Sequence, residues 1–292
     1  MNDTTFHTYR AHPDLALTLC DLGASIYGCK FQGVEMTYTT DETTFALPNK
    51  EFFGQFVGPV AGRIKNGKLR EFTFAQNEGT NAHHSSQYRW CWLPFERTVE
   101  ETPEGIVVRF IRRGELFGGK FEATATYTLY RNRPAFRVCL GFVSTADCPC
   151  NLTCHAYWSL GEEDAANIFV KMPTTHVMSY EAGGIPAKYV KSSGIYDFTK
   201  GRKLDQPYDH AILLKEGEME AWGERFGMKL HSDANAAQLY VDVPSKQRLG
   251  HSAGFAFECE RHTTMDESMI LPAGVKEETT IEYEFYRRES ND

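Results

Sequence analysis

With 292 residues, 41% hydrophobic and 24% charged, the chain can bury a large core and is not a disordered polypeptide. Its 31 Lys+Arg against 39 Asp+Glu leave a formal net charge of −8, which argues against nucleic acid or an anionic membrane as the main partner. The 20 Phe, 14 Tyr and 24 Gly lean towards strands and turns.

Met1 to Leu17 is polar and lacks a basic region followed by an apolar run, so no signal peptide is expected. No stretch approaches the ~20 apolar residues that cross a bilayer. The eight Cys then read as reduced thiols of a cytoplasmic protein, not as a disulfide framework. Leu15 to Phe31 reads as two strands broken at Asp21-Leu22-Gly23. Asp41 to Ala46 is the best short helix candidate. Gly62-Arg63-Ile64-Lys65-Asn66-Gly67-Lys68-Leu69 nearly spells a phosphate-binding loop, but Leu69 stands where the magnesium-ligating Ser or Thr is needed. A Gly-rich loop or hairpin is expected there. Asn77 to Ser86 is a polar loop with a His pair, His83 and His84. On an extended chain such neighbours diverge, so at most one is expected to face a given site.

Gly105 to Arg113 reads as a strand. From Phe121 to Tyr130 one face carries Phe121, Ala123, Ala125, Tyr127 and Leu129, and the other Glu122, Thr124, Thr126, Thr128 and Tyr130. Arg131-Asn132-Arg133-Pro134 breaks the run and Ala135 to Phe142 resumes it, which predicts a β-hairpin. Cys148, Cys150, Cys154 and His155 crowd together. On a strand the thiols share one face and His155 takes the other, a poor closure around zinc. The thiols read as small buried hydrophobes. His155 stands with Tyr157 and Trp158, whose faces suit the C–H faces of a pyranose. Alternatively, it is a hydrogen-bonded structural His. Asp209 reads as a turn residue or a ligand. Ala237 to Val243 is another strand. In Gly254 to His262, core-facing Phe255 and Phe257 would put Glu258 on the opposite face with Ala256 and Glu260. There it is a surface carboxylate or a base at a strand end. Thr279 to Tyr286 closes the series with Ile281, Tyr283 and Phe285 on one face. Turn signals every ~8–12 residues and no sustained helical period predict an all-β sandwich, one unusually large domain, with two domains as the fallback.

In this order the segments resemble the aldose 1-epimerase (mutarotase) family. Leu22-Gly23-Ala24-Ser25-Ile26 is similar to its N-terminal strand, and Gly62-Arg63-Ile64 with Asn66-Gly67 to its arginine motif. Asn77 to His84 resembles its Asn-rich loop, with His84 in the catalytic register. Asn151-Leu152-Thr153-Cys154-His155-Ala156-Tyr157-Trp158-Ser159-Leu160, Tyr208-Asp209-His210, Phe257-Glu258 and Leu271-Pro272-Ala273-Gly274 follow as in the family. Three departures stand out. Pro59 replaces the first arginine, Ser85-Ser86 replaces Gly-Gly, and Arg261 to Glu267 replaces a Pro-Asp stretch.

The resemblance implies a galactose mutarotase-like supersandwich, one domain over residues 1–292, that interconverts the α- and β-anomers of a free aldohexose. It implies Glu258 as general base at the C1 hydroxyl, His155 as general acid at the ring oxygen and His84 beside it. Arg63, Asp209 and Asn81, with the aromatic Tyr157 and Trp158, would bind the sugar. It implies no metal or cofactor, and a cytoplasmic monomer or homodimer whose partner is the sugar. The alternatives are a hexose-6-phosphate epimerase using Arg63, Lys65, Lys68 and Arg70, an inactive sugar binder, and a glycoside hydrolase or lyase. A hydrolase usually needs two carboxylates.

Overall fold

Period-2 alternation along the chain becomes three sheets that share one apolar interior. The computed structural model describes residues 4–47, 51–214, 217–241, 253–261 and 263–289. Asp242, Val243 and His262 lie outside them. The largest sheet is antiparallel with nine strands, in the order Glu96–Glu101, Gly105–Leu116, Gly119–Tyr130, Ala135–Ser144, Lys276–Arg287, Phe226–Ser232, Glu218–Trp222, Phe169–Lys171 and Arg202–Lys203. The expected hairpin is at its centre, with Ala125 opposite Leu140 and Tyr127 opposite Val138. Ala123, Ala125, Tyr127 and Leu129 are buried, as are Ile281, Tyr283 and Phe285 on the last strand. The strand predicted for Thr279 to Tyr286 runs longer, Lys276–Arg287.

Opposite lies a six-stranded sheet in the order Tyr157–Trp158, Phe255–Glu260, Ala236–Val241, Asp209–Leu214, Thr174–Glu181 and Ile185–Lys191. Beside it a four-stranded sheet is built from Phe6–Tyr9, Leu15–Cys20, Ser25–Phe31 and Val34–Glu35. One continuous cluster joins them: Leu17 and Phe31, Tyr127 and Phe285, Leu239 and Phe257 all belong to it. Trp158 of the six-stranded sheet packs its ring 4.9 Å from Tyr283 of the nine-stranded one. Tyr127 crosses the same interior and donates from its hydroxyl to the Ala24 carbonyl at 2.6 Å. This is a β-sandwich.

The one α-helical turn among the described residues, Glu42–Phe45, is capped by Asp41, whose side chain accepts from the Thr44 N–H. The near-phosphate loop is a short strand Arg63–Ile64, a 3-10 turn Lys65–Gly67 and a second strand Lys68–Leu69. Cys148, Cys150 and Cys154 are buried in the main cluster as free thiols. They do not lie on one strand: Cys148–Pro149 pairs with Ile270–Leu271, and Thr153–Cys154 with Phe56–Val57. Burial pushes Cys148 and Cys154 up to about 12, so they stay protonated and behave as apolar groups.

Candidate active site

The outer face of the six-stranded sheet carries the chemistry. On Phe255–Glu260 the alternation sends Phe255, Phe257 and Cys259 into the core and Glu258 and Glu260 to the other side. Directly paired residues share a face, and the register sets out two rows. Tyr157, Ala256, Tyr240 and Asp209 form one, and Glu258, Gln238 and Ala211 the other. The rows floor a cavity of about 380 Å³. Its walls come from loops and short strands, with Arg63, Glu78, His83, His84, Arg89 and His155 among the lining residues.

His155 follows the short strand Thr153–Cys154, and its backbone is held at both ends. Its N–H donates to Gln55 O at 3.0 Å, and its carbonyl accepts from Gly54 N–H at 2.9 Å. Gly54 has φ +64, and a Cβ there would sit 1.7 Å from the Ile26 carbonyl oxygen, so only glycine fits. The clamp aims His155 Nε2 at Glu258 Oε1, 3.4 Å away, with both side chains buried. His155 Nδ1 and Glu258 Oε2 have no protein hydrogen-bond partner among the described residues. Desolvation pushes His155 down to about 4. It raises Glu258 well above the ordinary carboxylate range, as do the nearby Glu260 and Asp209, against Arg63. The two groups together therefore hold one proton near neutrality.

His84 enters by a different device. Its φ of +47 turns the backbone into the left-handed region, so the pair does not diverge as on an extended chain. Both His83 and His84 line the cavity, with ring centroids 3.7 Å apart. This corrects the expectation that only one would face it. Gly62 N–H donates to His84 Nδ1 at 3.2 Å, which leaves the proton of the neutral ring on Nε2. Desolvation, reinforced by His83 and His155, keeps His84 uncharged well below its usual range. Ser85 and Ser86 are also left-handed, at φ +63 and +49. Ser85 Oγ donates to Val60 O at 2.9 Å and accepts from Val60 N–H at 2.7 Å. Ser86 Oγ donates to Ala75 O at 2.6 Å. These bonds offset the strain of a geometry that glycine would adopt freely.

Arg63 donates to Glu78 at 2.6 and 3.1 Å and lies 3.7 Å from Asp209. Asp209 in turn accepts from Gln238 Nε2 at 2.5 Å, and Gln238 Oε1 accepts from Tyr180 at 3.1 Å. Charged and polar groups are thus fixed along one wall before any ligand arrives. Tyr157 lines the cavity, but Trp158, its neighbour, does not. Alternation turns Trp158 into the core, fully buried against Tyr283 and Phe285, which removes it as a stacking residue. Asn81 is also displaced from the expected role. Its side chain accepts from Asn66 N–H at 3.1 Å and donates to Gly183 O at 3.3 Å, so it braces two wall loops and does not line the cavity.

Of the lining residues that escaped the sequence reading, three stand out. Arg89 lies over the Trp92 ring, 4.5 Å from its centroid, and Phe52 stacks on Trp92 at 5.9 Å with 5° between the planes. Glu260 is the third. Its period-2 relation to Glu258 was visible in the sequence, but its burial was not. His84, His155 and Glu258 present ligand-type atoms within 4.8 Å of one another. The hydrogen bond into His84 Nδ1 favours a proton donor there over a metal ligand. Pro59, in place of the first arginine, is buried, and its carbonyl accepts from Asn151 N–H at 2.7 Å.

An imidazole and a carboxyl thus meet on the floor of the cavity, in the motif order given above. The profile of the family described as aldose 1-epimerase matches residues 8–282. The chain belongs to that family. The aldose 1-epimerases are isomerases, and this protein is one of them. It is similar to the aldose 1-epimerase of Escherichia coli K12, 24% identical over 269 residues that cover 80% of this chain and 77% of the relative. Its fold is similar to that of galactose 1-epimerase from Lactobacillus acidophilus, with TM-score 0.87, 17% identity and coverage of 98% and 99%. An aldose epimerase homologue from C. elegans gives TM-score 0.85 at 18% identity, with coverage of 98% and 100%. Among the described residues no helix is long and apolar enough to cross a membrane.

Proposed function

We propose that this aldose 1-epimerase interconverts the α- and β-anomers of a free aldohexose, with Glu258 and His155 as its acid–base pair. The observation that carries the reading is the 3.4 Å approach of His155 Nε2 to Glu258 Oε1 on the floor of the cavity. Anomer exchange needs a proton removed from the C1 hydroxyl and one delivered to the ring oxygen. In the ion-pair form Glu258 is the base and His155 the acid. As the C1–O5 bond breaks, C1 becomes an aldehyde carbon, the Glu258 carboxyl holds the hydroxyl proton and His155 is neutral. Rotation about C1–C2 and the reverse transfers close the ring with the opposite configuration. The chemistry consumes nothing and returns both groups to their starting state. One proton moving across the 3.4 Å gap interconverts the neutral pair with the ion pair. The mechanism therefore needs no change in the proton count of the site.

His84, a fixed neutral donor, would stabilise charge on the ring oxygen as the bond breaks. Arg63 and Asp209 would orient vicinal hydroxyls, the guanidinium as a fork of donors and the carboxylate as acceptor. Arg89, over the Phe52 and Trp92 rings, would add a second guanidinium. Tyr157 would offer its ring to an apolar sugar face.

A free sugar is favoured over a hexose 6-phosphate by where the basic residues lie. Lys65 pairs with Glu181 and Arg70 with Glu267 on the exposed surface, and neither lines the cavity, nor does Lys68. Arg63 is already engaged by two carboxylates. A phosphate would need these groups gathered and free. The continuous core and the near-complete structural overlap support reading 1–292 as one domain of an enzyme of sugar metabolism. Polarimetry of freshly dissolved α-glucose and α-galactose tests the activity. Accelerated approach to equilibrium is expected, and hexose 6-phosphates should not be preferred. Sugar binding by calorimetry without acceleration would instead mark an inactive binder.

A further inference from the structure

Two carboxyls, not one, face the cavity from the strand Phe255–Glu260. Glu258 and Glu260 are two residues apart, share a face and are each 3% exposed. Glu260 Oε2 accepts from Asn151 Nδ2 at 2.9 Å, and the same amide donates to Ala61 O at 3.3 Å. Among the described residues no ion pair joins Glu260 to a cation. A buried carboxyl with an amide for its partner is costly, and an apolar residue would pack there at less expense. Its position is what a neighbour of Glu258 requires. The groups facing it are Glu258 on its own strand, Asn151, and the hydroxyls of Tyr180 and Tyr189, both within its electrostatic reach. The rest of the wall contributes Arg63, Asp209 and the three imidazoles of His83, His84 and His155.

On the acid–base reading above, we propose that Glu260 is a positioning residue that acts through Glu258. Its carboxyl keeps the Glu258–His155 pair in the one-proton form over the working pH range. Two carboxylates on adjacent same-face positions cannot both ionise cheaply in a desolvated site, so once one is ionised the other holds its proton more tightly. Burial alone pushes Glu260 up to about 8, with the Asn151 hydrogen bond opposing. Glu260 in turn helps to raise Glu258.

The test is the pH profile of kcat/KM for the wild type and Glu260→Gln, whose amide oxygen can still accept from Asn151. In the wild type the acid limb falls near 4, where His155 takes a second proton. The alkaline limb lies well above the ordinary carboxylate range. In Glu260→Gln the alkaline limb should move down by at least about one pH unit while the acid limb stays. An alkaline limb that does not move overturns the proposal. A second measurement separates this outcome from failure of the acid–base reading. Carboxyl ¹³C titration of glutamate-labelled protein should show two linked steps well above 4.5, and Glu260→Gln should remove one and lower the other. If the wild type turns over no aldose but the linked steps are present, the epimerase reading fails and the coupling stands. If every glutamate titrates near 4.5, the coupling fails whatever the activity.

Discussion

The two faces of the strand Phe255–Glu260 have the same backbone and neighbours but opposite tasks. On the inner face Phe255, Phe257 and Cys259 join a core cluster that spans all three large sheets. On the outer face Glu258 and Glu260 are as thoroughly removed from water but gain little for it. The inner face contributes stability through apolar burial, which is roughly 1.5–3 kcal/mol for a large side chain. The outer face gives some up to hold titratable groups in a place where their proton affinities shift. The lesson is that burial alone does not define a core. What a strand buries on each face decides whether that face stabilises or reacts.

This contrast can be broken most severely at the pair itself. Glu258→Gln and His155→Asn should each lower kcat by at least about 100-fold, measured by polarimetry or NMR saturation exchange. Unfolding midpoints near neutrality should change little, because the one-proton pair is uncharged there and each substitution keeps a polar group in place. Near wild-type turnover in either variant would remove the assignment. Phe257→Ala on the inner face should do the reverse. It should cost about 3–5 kcal/mol in denaturant unfolding, with kcat of the folded fraction largely retained.

A smaller effect is expected along the wall. Asp209→Ala should raise KM about 10- to 100-fold with little change in kcat, since a charged hydrogen bond to substrate is worth about 1.5–3 kcal/mol. An unchanged KM would reduce Asp209 to a partner of Arg63 and Gln238.

The smallest effect is the pH dependence of stability, and here the two kinds of buried group pull in opposite directions. His83, His84 and His155 are depressed in the folded state, so the unfolded chain binds protons more readily. Their contribution is lost as pH falls below 6.5, towards about 4 for His155. Glu258 and Glu260 are raised, so the folded state binds protons more readily. Their contribution is lost as pH climbs from 4.5 towards about 8 for Glu260. Between pH 6.5 and 8 only the carboxyl effect of these five groups remains. The wild-type Tm should decline across that interval, and Glu260→Gln should flatten the decline. A flat wild-type curve would show that the outer face is better hydrated than its burial implies.

Much of this was legible in the sequence where the signal is local. Strict alternation placed Phe257 and Glu258 on opposite faces, and the hairpin around Arg131 to Pro134 needed only its turn residues. The short helix expected over Asp41 to Ala46 is there as the turn Glu42–Phe45. The misses share a cause, because each depends on the three-dimensional path of a loop. Trp158 could be placed on a face but not on the correct one without the partner strand that fixes register at Phe255. Asn81 looked like a ligand because its two backbone partners, at Asn66 and Gly183, are remote or unremarkable in the chain. His83 and His84 converge through a left-handed backbone that no side-chain pattern encodes. Arg89 and Glu260 carry no motif, and only the closure of the cavity gives them significance.

The glycine behind His155 has a wider reach than its size suggests. Gly54 accepts from Ile26 N–H at 2.9 Å through its carbonyl and donates its own N–H to His155. His155 is thereby coupled mechanically to the N-terminal sheet through two backbone hydrogen bonds. Loosening the first thirty residues would be felt at the imidazole as misalignment before it was felt anywhere as unfolding.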